Sequence, residues 1–249
     1  MDPFSGLEIP QLLVSVVDAE EGLAAMDGGA GIIDVKNPHE GALGAQPPSV
    51  IRAVCQAVAG KRPVSAALGE FPGRPGGAGL AALGAACCGP DYVKVGFPGK
   101  THPAQMAGVL GSIRDSLGMA GTGHRIGLVA AVYADTLGGR PLEEWARLAA
   151  SAGCDGCLVD TWNKSGPGLL GLVPARGIQR FIHSCREEGI FSALAGRLAA
   201  TDIPRVAALG PGIIGVRSAA CEGDRVSGRV TRNRVSDLVR ALGQPLPVL

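Results

Sequence analysis

Four segments of this chain share one signature, a small-residue turn that runs directly into an apolar strand. They are GAGIIDVK (29–36), GPDYVKVG (89–96), GCDGCLVD (153–160) and GPGIIGVR (210–217). Their spacing of roughly 60 residues accommodates two strand–helix units per repeat. The short apolar runs bear this out at Leu12–Val17, Ile32–Lys36, Pro63–Leu68, Tyr92–Gly96, Ile126–Val132, Gly156–Asp160, Ile190–Ala195 and Ile213–Arg217. They are continuous rather than alternating, so both faces are expected to be buried. Helix-like stretches lie between them, at Asp18–Gly28, Ser49–Ala59, His102–Leu117, Leu142–Ala152, Ala175–Glu188 and Thr231–Leu242. The first glycine of each repeat is expected to end the preceding helix in the left-handed conformation. This pattern predicts an α/β fold, a closed (β/α)8 TIM barrel. An open doubly wound sheet usually carries G-x-G-x-x-G after its first strand; Val16-Val17-Asp18-Ala19 contains no glycine. No Pro/Ser-rich linker interrupts the chain, so residues 1–249 are expected to form one domain, with 1–10 a short N-terminal extension.

Composition narrows the function. The chain is 46% hydrophobic but only 4% aromatic, so its core must be aliphatic, as barrel interiors usually are. A net charge of +1 without a basic stripe argues against a nucleic-acid partner. No apolar run is long enough to span a bilayer, and MDPFSGLEIP lacks the features of a secretory signal. The seven cysteines are odd in number and scattered, which favours reduced thiols in the cytoplasm. Cys154 and Cys157 form a lone C-x-x-C with no second pair or nearby histidine, so a structural role is expected and no metal.

The lysines carry the chemical signal. Of 23 basic residues only five are lysine: Lys36, Lys61, Lys94, Lys100 and Lys164. Arginine stays protonated and forms no Schiff base, whereas a lysine with a lowered pKa can. Lys36, Lys94 and Lys164 fall on or just after strand runs. Aligned on the repeat glycine, Lys36, Gly96, Asp160 and Arg217 share one level; Asp34, Lys94, Leu158 and Gly215 lie two residues earlier on the same strand face. Polar residues at both levels are expected to face into the barrel near its C-terminal mouth. Asp34–Lys36 and Asp160–Lys164 then form two carboxylate–lysine pairs, and crowded cations would lower an amine pKa. Salt bridges of purely structural value are the competing reading. Phosphate is expected at Gly196, Arg217 and Ser218, after strands 7 and 8. The Gly/Pro-rich stretch 69–77 could be a lid or a plain loop. His39 is the one histidine in an active-site loop, and Trp162 could line the pocket.

The stretch LLVSVVDAEEGLAAMDGGAGIIDVKNPHEGALGA (12–45), with VSAALGEFP (64–72), DYVKVGF (91–97), VYAD (132–135), VDTWNKSG (159–166) and LAGRL (194–198), resembles the (5-formylfuran-3-yl)methyl phosphate synthase family. The older name is 4-(hydroxymethyl)-2-furancarboxaldehyde-phosphate synthase. The resemblance covers nearly the whole chain, and IIDVKNPxEGxLGA is its most specific part. It implies a lyase that joins two glyceraldehyde 3-phosphate molecules for the furan of methanofuran, or of a related cofactor in methylotrophs. It implies a Schiff base on Lys36, with Asp34 as partner carboxylate and Lys94, Asp160 and Lys164 as the acid–base set. It implies no metal or organic cofactor, and a small phosphorylated carbonyl compound as substrate. The chain departs from the family pattern at Pro75-Gly76-Gly77-Ala78, where a PGT-like turn is usual; a hydroxyl contact from that loop is therefore not expected.

Two other readings compete with this one. Orotidine-phosphate-type decarboxylases use D-x-K-x-x-D on a barrel strand, but the last position here is His39. A non-catalytic sugar-phosphate-binding barrel would be expected to show degraded lysines or aspartates, and none is degraded. Exposed helix faces of barrels commonly pack together, so a homo-oligomer is expected.

Overall fold

In the computed structural model, residues 9–243 are described; residues 1–8, most of the expected extension, lie outside them. Eight parallel strands close into a barrel: β1 (Gln11–Val16), β2 (Ile32–Val35), β3 (Val64–Glu70), β4 (Tyr92–Phe97), β5 (Gly127–Tyr133), β6 (Gly156–Asp160), β7 (Phe191–Leu194) and β8 (Ile213–Val216). Closure comes from β1, which pairs with both β2 and β8. Around the barrel run α1 (Ala19–Asp27), α2 (Pro48–Val58), α3 (Pro75–Ala86), α4 (Pro103–Met119), α5 (Leu142–Ser151), α6 (Leu169–Leu172), α7 (Ala175–Glu187), α8 (Ile203–Ala207) and α9 (Arg232–Leu242). A two-strand hairpin, β9 (Cys221–Glu222) and β10 (Arg229–Val230), follows β8.

The turn chemistry follows the repeat. Gly29, Gly89, Gly153 and Gly210 have φ of 95°, 90°, 77° and 77°, a conformation that side chains resist. Proline opens α2, α3 and α4, where its missing N–H leaves no helix bond unmade.

Strand alternation divides the apolar residues into two layers. Val14, Val16, Ile33, Val35, Val93 and Val95 face outward to the helices. Leu13, Ile32, Val129, Leu158, Phe191 and Ile213 fill the barrel interior. Each fully buried aliphatic side chain contributes about 1.5–3 kcal/mol. Two aromatic side chains help to close the lower interior. Tyr92 and Phe191 meet edge to face at 5.8 Å, and each occupies space left open by a glycine, Gly127 and Gly156 respectively.

The stretch 69–77 is not one long loop. Strand β3 continues to Glu70 with a register shift after Ala67, and α3 begins at Pro75. Glycines hide this helix from propensity, but packing overrides them. Ala78, Ala82, Ala85 and Ala86 are buried, and at Gly79 a Cβ would sit 2.7 Å from the hydroxyls of Ser112 and Ser116 on α4.

Candidate active site

The C-terminal mouth of the barrel holds a cavity above the apolar interior. Of the eight residues that the repeat places on two levels, seven line it: Asp34, Lys36, Lys94, Leu158, Asp160, Gly215 and Arg217. Gly196 and Ser218 line it as well, and so does Lys164.

Asp34 is the buried centre of the first charged cluster. Strand register sets it beside Ser15 of β1 and Ser65 of β3. Ser15 Oγ donates to it at 2.9 Å and Ser65 Oγ at 2.7 Å, while Lys94 Nζ lies 2.6 Å away. Burial works to raise the Asp34 pKa, but Lys94, Lys36 and these donors outweigh it and hold the carboxylate below its ordinary range. Asp34 is therefore charged and paired with Lys94.

The second cluster stands on β6. Lys164 Nζ lies 2.6 Å from Asp160 Oδ1, and the Thr161 amide donates to the same oxygen at 2.7 Å. The loop that returns Lys164 to Asp160 is shaped by Asp135, whose two carboxylate oxygens accept from the amides of Trp162 and Asn163. Burial again acts upward on Asp160, and Lys164 and Lys36 bring its pKa down.

Lys36 sits between the two clusters. Strand β2 ends at Val35, so Lys36 is the first residue after the strand rather than within it; its amide still donates to Val16 O at 3.1 Å. The residue is 7% exposed. Among the described residues it forms no ion pair, because each neighbouring carboxylate already holds another lysine. Burial first, and then the charges of Lys164 and Lys94, lower its pKa to about 7 against the pull of Asp160 and Asp34. Such an amine is neutral for a large fraction of the time near neutrality. An uncharged lysine flanked by two charged lysine–carboxylate pairs can attack a carbonyl while the pairs exchange protons with the adduct.

Arg217 follows β8 and is 5% exposed. Its Nη1 donates to Glu21 Oε2 at 2.8 Å and to Ser15 O at 3.0 Å, and its Nε donates to Arg225 O at 2.6 Å. Its Nη2 is buried and has no hydrogen-bond partner among the described residues. An unpaired buried donor costs about 1–3 kcal/mol. Gly196, with φ of 103°, packs against Thr161 where a Cβ would lie 2.9 Å from Thr161 Cγ2.

Sequence reasoning missed Glu70 and Tyr133. The Tyr133 hydroxyl donates to Glu70 Oε1, which also accepts from Leu43 N at 3.3 Å. Burial, together with Glu70, raises the phenol pKa well above its ordinary value, so Tyr133 keeps its proton. The signal was Gly96, the one position of its level without a polar side chain: Tyr133 and Glu70 occupy the space it leaves. A Cβ at Gly96 would collide with the Tyr133 hydroxyl and lie 2.9 Å from Glu70 Cγ. Gly96→Ala is expected to cost about 1–3 kcal/mol in a denaturant melt through overpacking; an unchanged midpoint would refute that close fit.

Other candidates fall away. His39 is exposed and outside the cavity wall; its amide donates to the Asn37 side chain in a 3-10 turn. Trp162 is 45% exposed and does not line the cavity, because its ring packs edge to face on Tyr133 at 5.1 Å. Cys154 and Cys157 are free and buried; burial pushes the Cys154 thiol up to about 12. Among the described residues there is no cluster suited to a metal, and no helix is long and apolar enough to cross a membrane.

Comparison with known proteins shows the family. Residues 12–239 match a family described as 4-HFC-P synthase. A (5-formylfuran-3-yl)methyl phosphate synthase of Methanopyrus kandleri is 42% identical over 236 residues, covering 94% of this chain and 99% of the relative. One from Methanothermobacter thermautotrophicus is 38% identical over 238 residues, covering 93% and 98%. Among solved structures, 3-hexulose-6-phosphate synthase from Salmonella typhimurium is similar with a TM-score of 0.62 at 20% identity, covering 93% of this chain and 99% of that one. Likeness at that identity concerns the barrel alone.

Proposed function

This chain belongs to the (5-formylfuran-3-yl)methyl phosphate synthase family, and from that premise we propose that it condenses two glyceraldehyde 3-phosphate molecules through a Schiff base on Lys36. The observation that carries this reading is the Lys36 amine, buried between two lysine–carboxylate pairs with a pKa of about 7. The neutral amine adds to the carbonyl of one triose phosphate, and loss of water gives the imine. Removal of a proton beside the imine yields an enamine, which attacks the aldehyde of the second triose. Hydrolysis of the imine returns the free Lys36 amine, and cyclisation with loss of one phosphate and, over the whole reaction, two waters completes the furan aldehyde phosphate.

The two carboxylate–lysine pairs suit the proton transfers, since each couples a base to an acid within 2.6 Å. Lys94 with Asp34 and Lys164 with Asp160 are the acid–base set in this reading. In this reading Gly196, Arg217 and Ser218, which line the cavity, hold one phosphoryl group. No cofactor takes part. The decarboxylase rival has little support, since the position its last carboxylate would need is the exposed His39. The odd number and scattered placement of the seven cysteines suit a cytoplasmic setting.

The test is incubation of the purified protein with glyceraldehyde 3-phosphate alone, followed by ultraviolet absorbance and mass. A furan aldehyde phosphate is expected; a folded protein that forms none would refute the proposal. The rate of imine formation is expected to rise with pH through about 7, as Lys36 loses its proton, and to level off above it. A rate that keeps climbing toward pH 10 would indicate an ordinary lysine.

A further inference from the structure

The cavity wall carries more positive charge than its own carboxylates account for. Lys94 and Lys164 are matched by Asp34 and Asp160, and Arg217 leans on Glu21. Two guanidiniums remain in the wall, those of Arg197 and Arg225. Arg197 is exposed, and its Nη1 donates to Lys164 O. Arg225 is only partly exposed, and no carboxylate among the described residues pairs with it.

The fold holds Arg225 in place. It lies in the turn between β9 and β10, where Asp224 accepts from the amides of Val226 and Ser227 at 2.6 and 2.9 Å. Arg229, at the base of the hairpin, bonds Asp18 at 2.7 Å and Glu20 at 3.1 Å on the α1 side. The Arg225 carbonyl accepts from Arg217 Nε, so the two arginines are tied together as neighbours at the mouth. Burial lowers the Arg225 pKa while Asp160 opposes it, which puts the guanidinium within electrostatic reach of the reacting groups.

We infer that Arg225 forms a second phosphoryl subsite, distinct from the one at Arg217, and binds the phosphate monoester of the second triose. The inference rests on the two-triose reading above. A phosphate monoester carries about −1.5 to −2 at neutral pH, so two bound trioses bring about −3 to −4. Arg217 already faces Glu21, so the guanidinium of Arg225, which no carboxylate among the described residues holds, is the one left to meet the second phosphoryl group. Arginine suits the task because its planar fork matches phosphate oxygens.

Calorimetric titration with glycerol 3-phosphate, which has no carbonyl and cannot form an imine, tests this directly. The wild-type protein is expected to bind two equivalents. Arg225→Gln is expected to weaken one of them at least about tenfold, as removal of a charge-assisted bond does, and to leave the other within about threefold. Arg225→Lys should recover part of the loss, and the exposed, remote Arg125→Gln should keep both sites. A single equivalent in the wild type, two unaltered sites in Arg225→Gln, or loss of both together would each overturn the inference. Two-site binding by a protein that makes no furan would sink the synthase proposal and leave the subsite standing.

Discussion

Replacing Lys36 with methionine is expected to abolish furan formation and at the same time to make the protein more stable. The Lys36 amine has an ordinary value of 10.5 and a folded value of about 7. At roughly 1.4 kcal/mol per tenfold change, its burial costs the fold up to about 5 kcal/mol. Methionine fills similar volume without a charge. Part of the gain is lost because Asp34 and Asp160 are held charged partly by Lys36, so a net gain of about 1–4 kcal/mol is expected. The sign follows from linkage. Between pH 7 and 10.5 the unfolded lysine binds a proton that the folded one has released, so wild-type stability rises with pH across that window. The advantage of Lys36→Met should therefore be largest below pH 7 and should shrink toward pH 10. Thermal melts at pH 6, 7.5 and 9.5 measure it, and a variant less stable than wild type at pH 6 would contradict a charge buried at a cost.

Breaking the Asp34–Lys94 pair should have the opposite effect. Asp34→Asn leaves the Lys94 ammonium, 3% exposed, without its carboxylate. Loss of one partner of a buried pair costs about 3–5 kcal/mol. Lys94→Met leaves Asp34 with two serine hydroxyls and no paired lysine, and a similar loss is expected. The double variant removes both charges and should lose clearly less than the two singles added together, with a coupling of about 2 kcal/mol or more. Additive losses in denaturant melts would mean that the two side chains do not act as a pair. Asp34→Asn should also lower the Lys36 pKa further, because Asp34 is one of the two carboxylates that hold it up.

Much of this architecture is legible in the sequence, for a physical reason. Strands buried on both faces read as apolar runs, and the expected span Gly156–Asp160 is the observed β6. The repeat glycines mark where each helix ends, and from them the alignment placed Asp34, Lys36, Lys94, Asp160 and Arg217 around one mouth. Helix α3 was hidden because its stability comes from close packing on α4 rather than from its own glycine-rich sequence. The Glu70–Tyr133 contact was hidden because it joins residues far apart in the chain, and only the blank at Gly96 hinted at it. The same distance concealed Glu21 behind Arg217: no local pattern in α1 announces a partner beyond β8. Adjacency suggests Asp34 with Lys36, whereas Asp34 pairs with Lys94, and among the described residues Lys36 has no ion pair.

The central claim is that Lys36 is the amine that bonds the triose. Borohydride reduction of the protein during turnover of glyceraldehyde 3-phosphate, followed by digestion and peptide mass mapping, tests it most directly. A reduced triose adduct on the peptide that contains Lys36 is predicted, with none in Lys36→Arg. An adduct on Lys94 or Lys164 instead, or an active enzyme that traps no adduct at all, would contradict it.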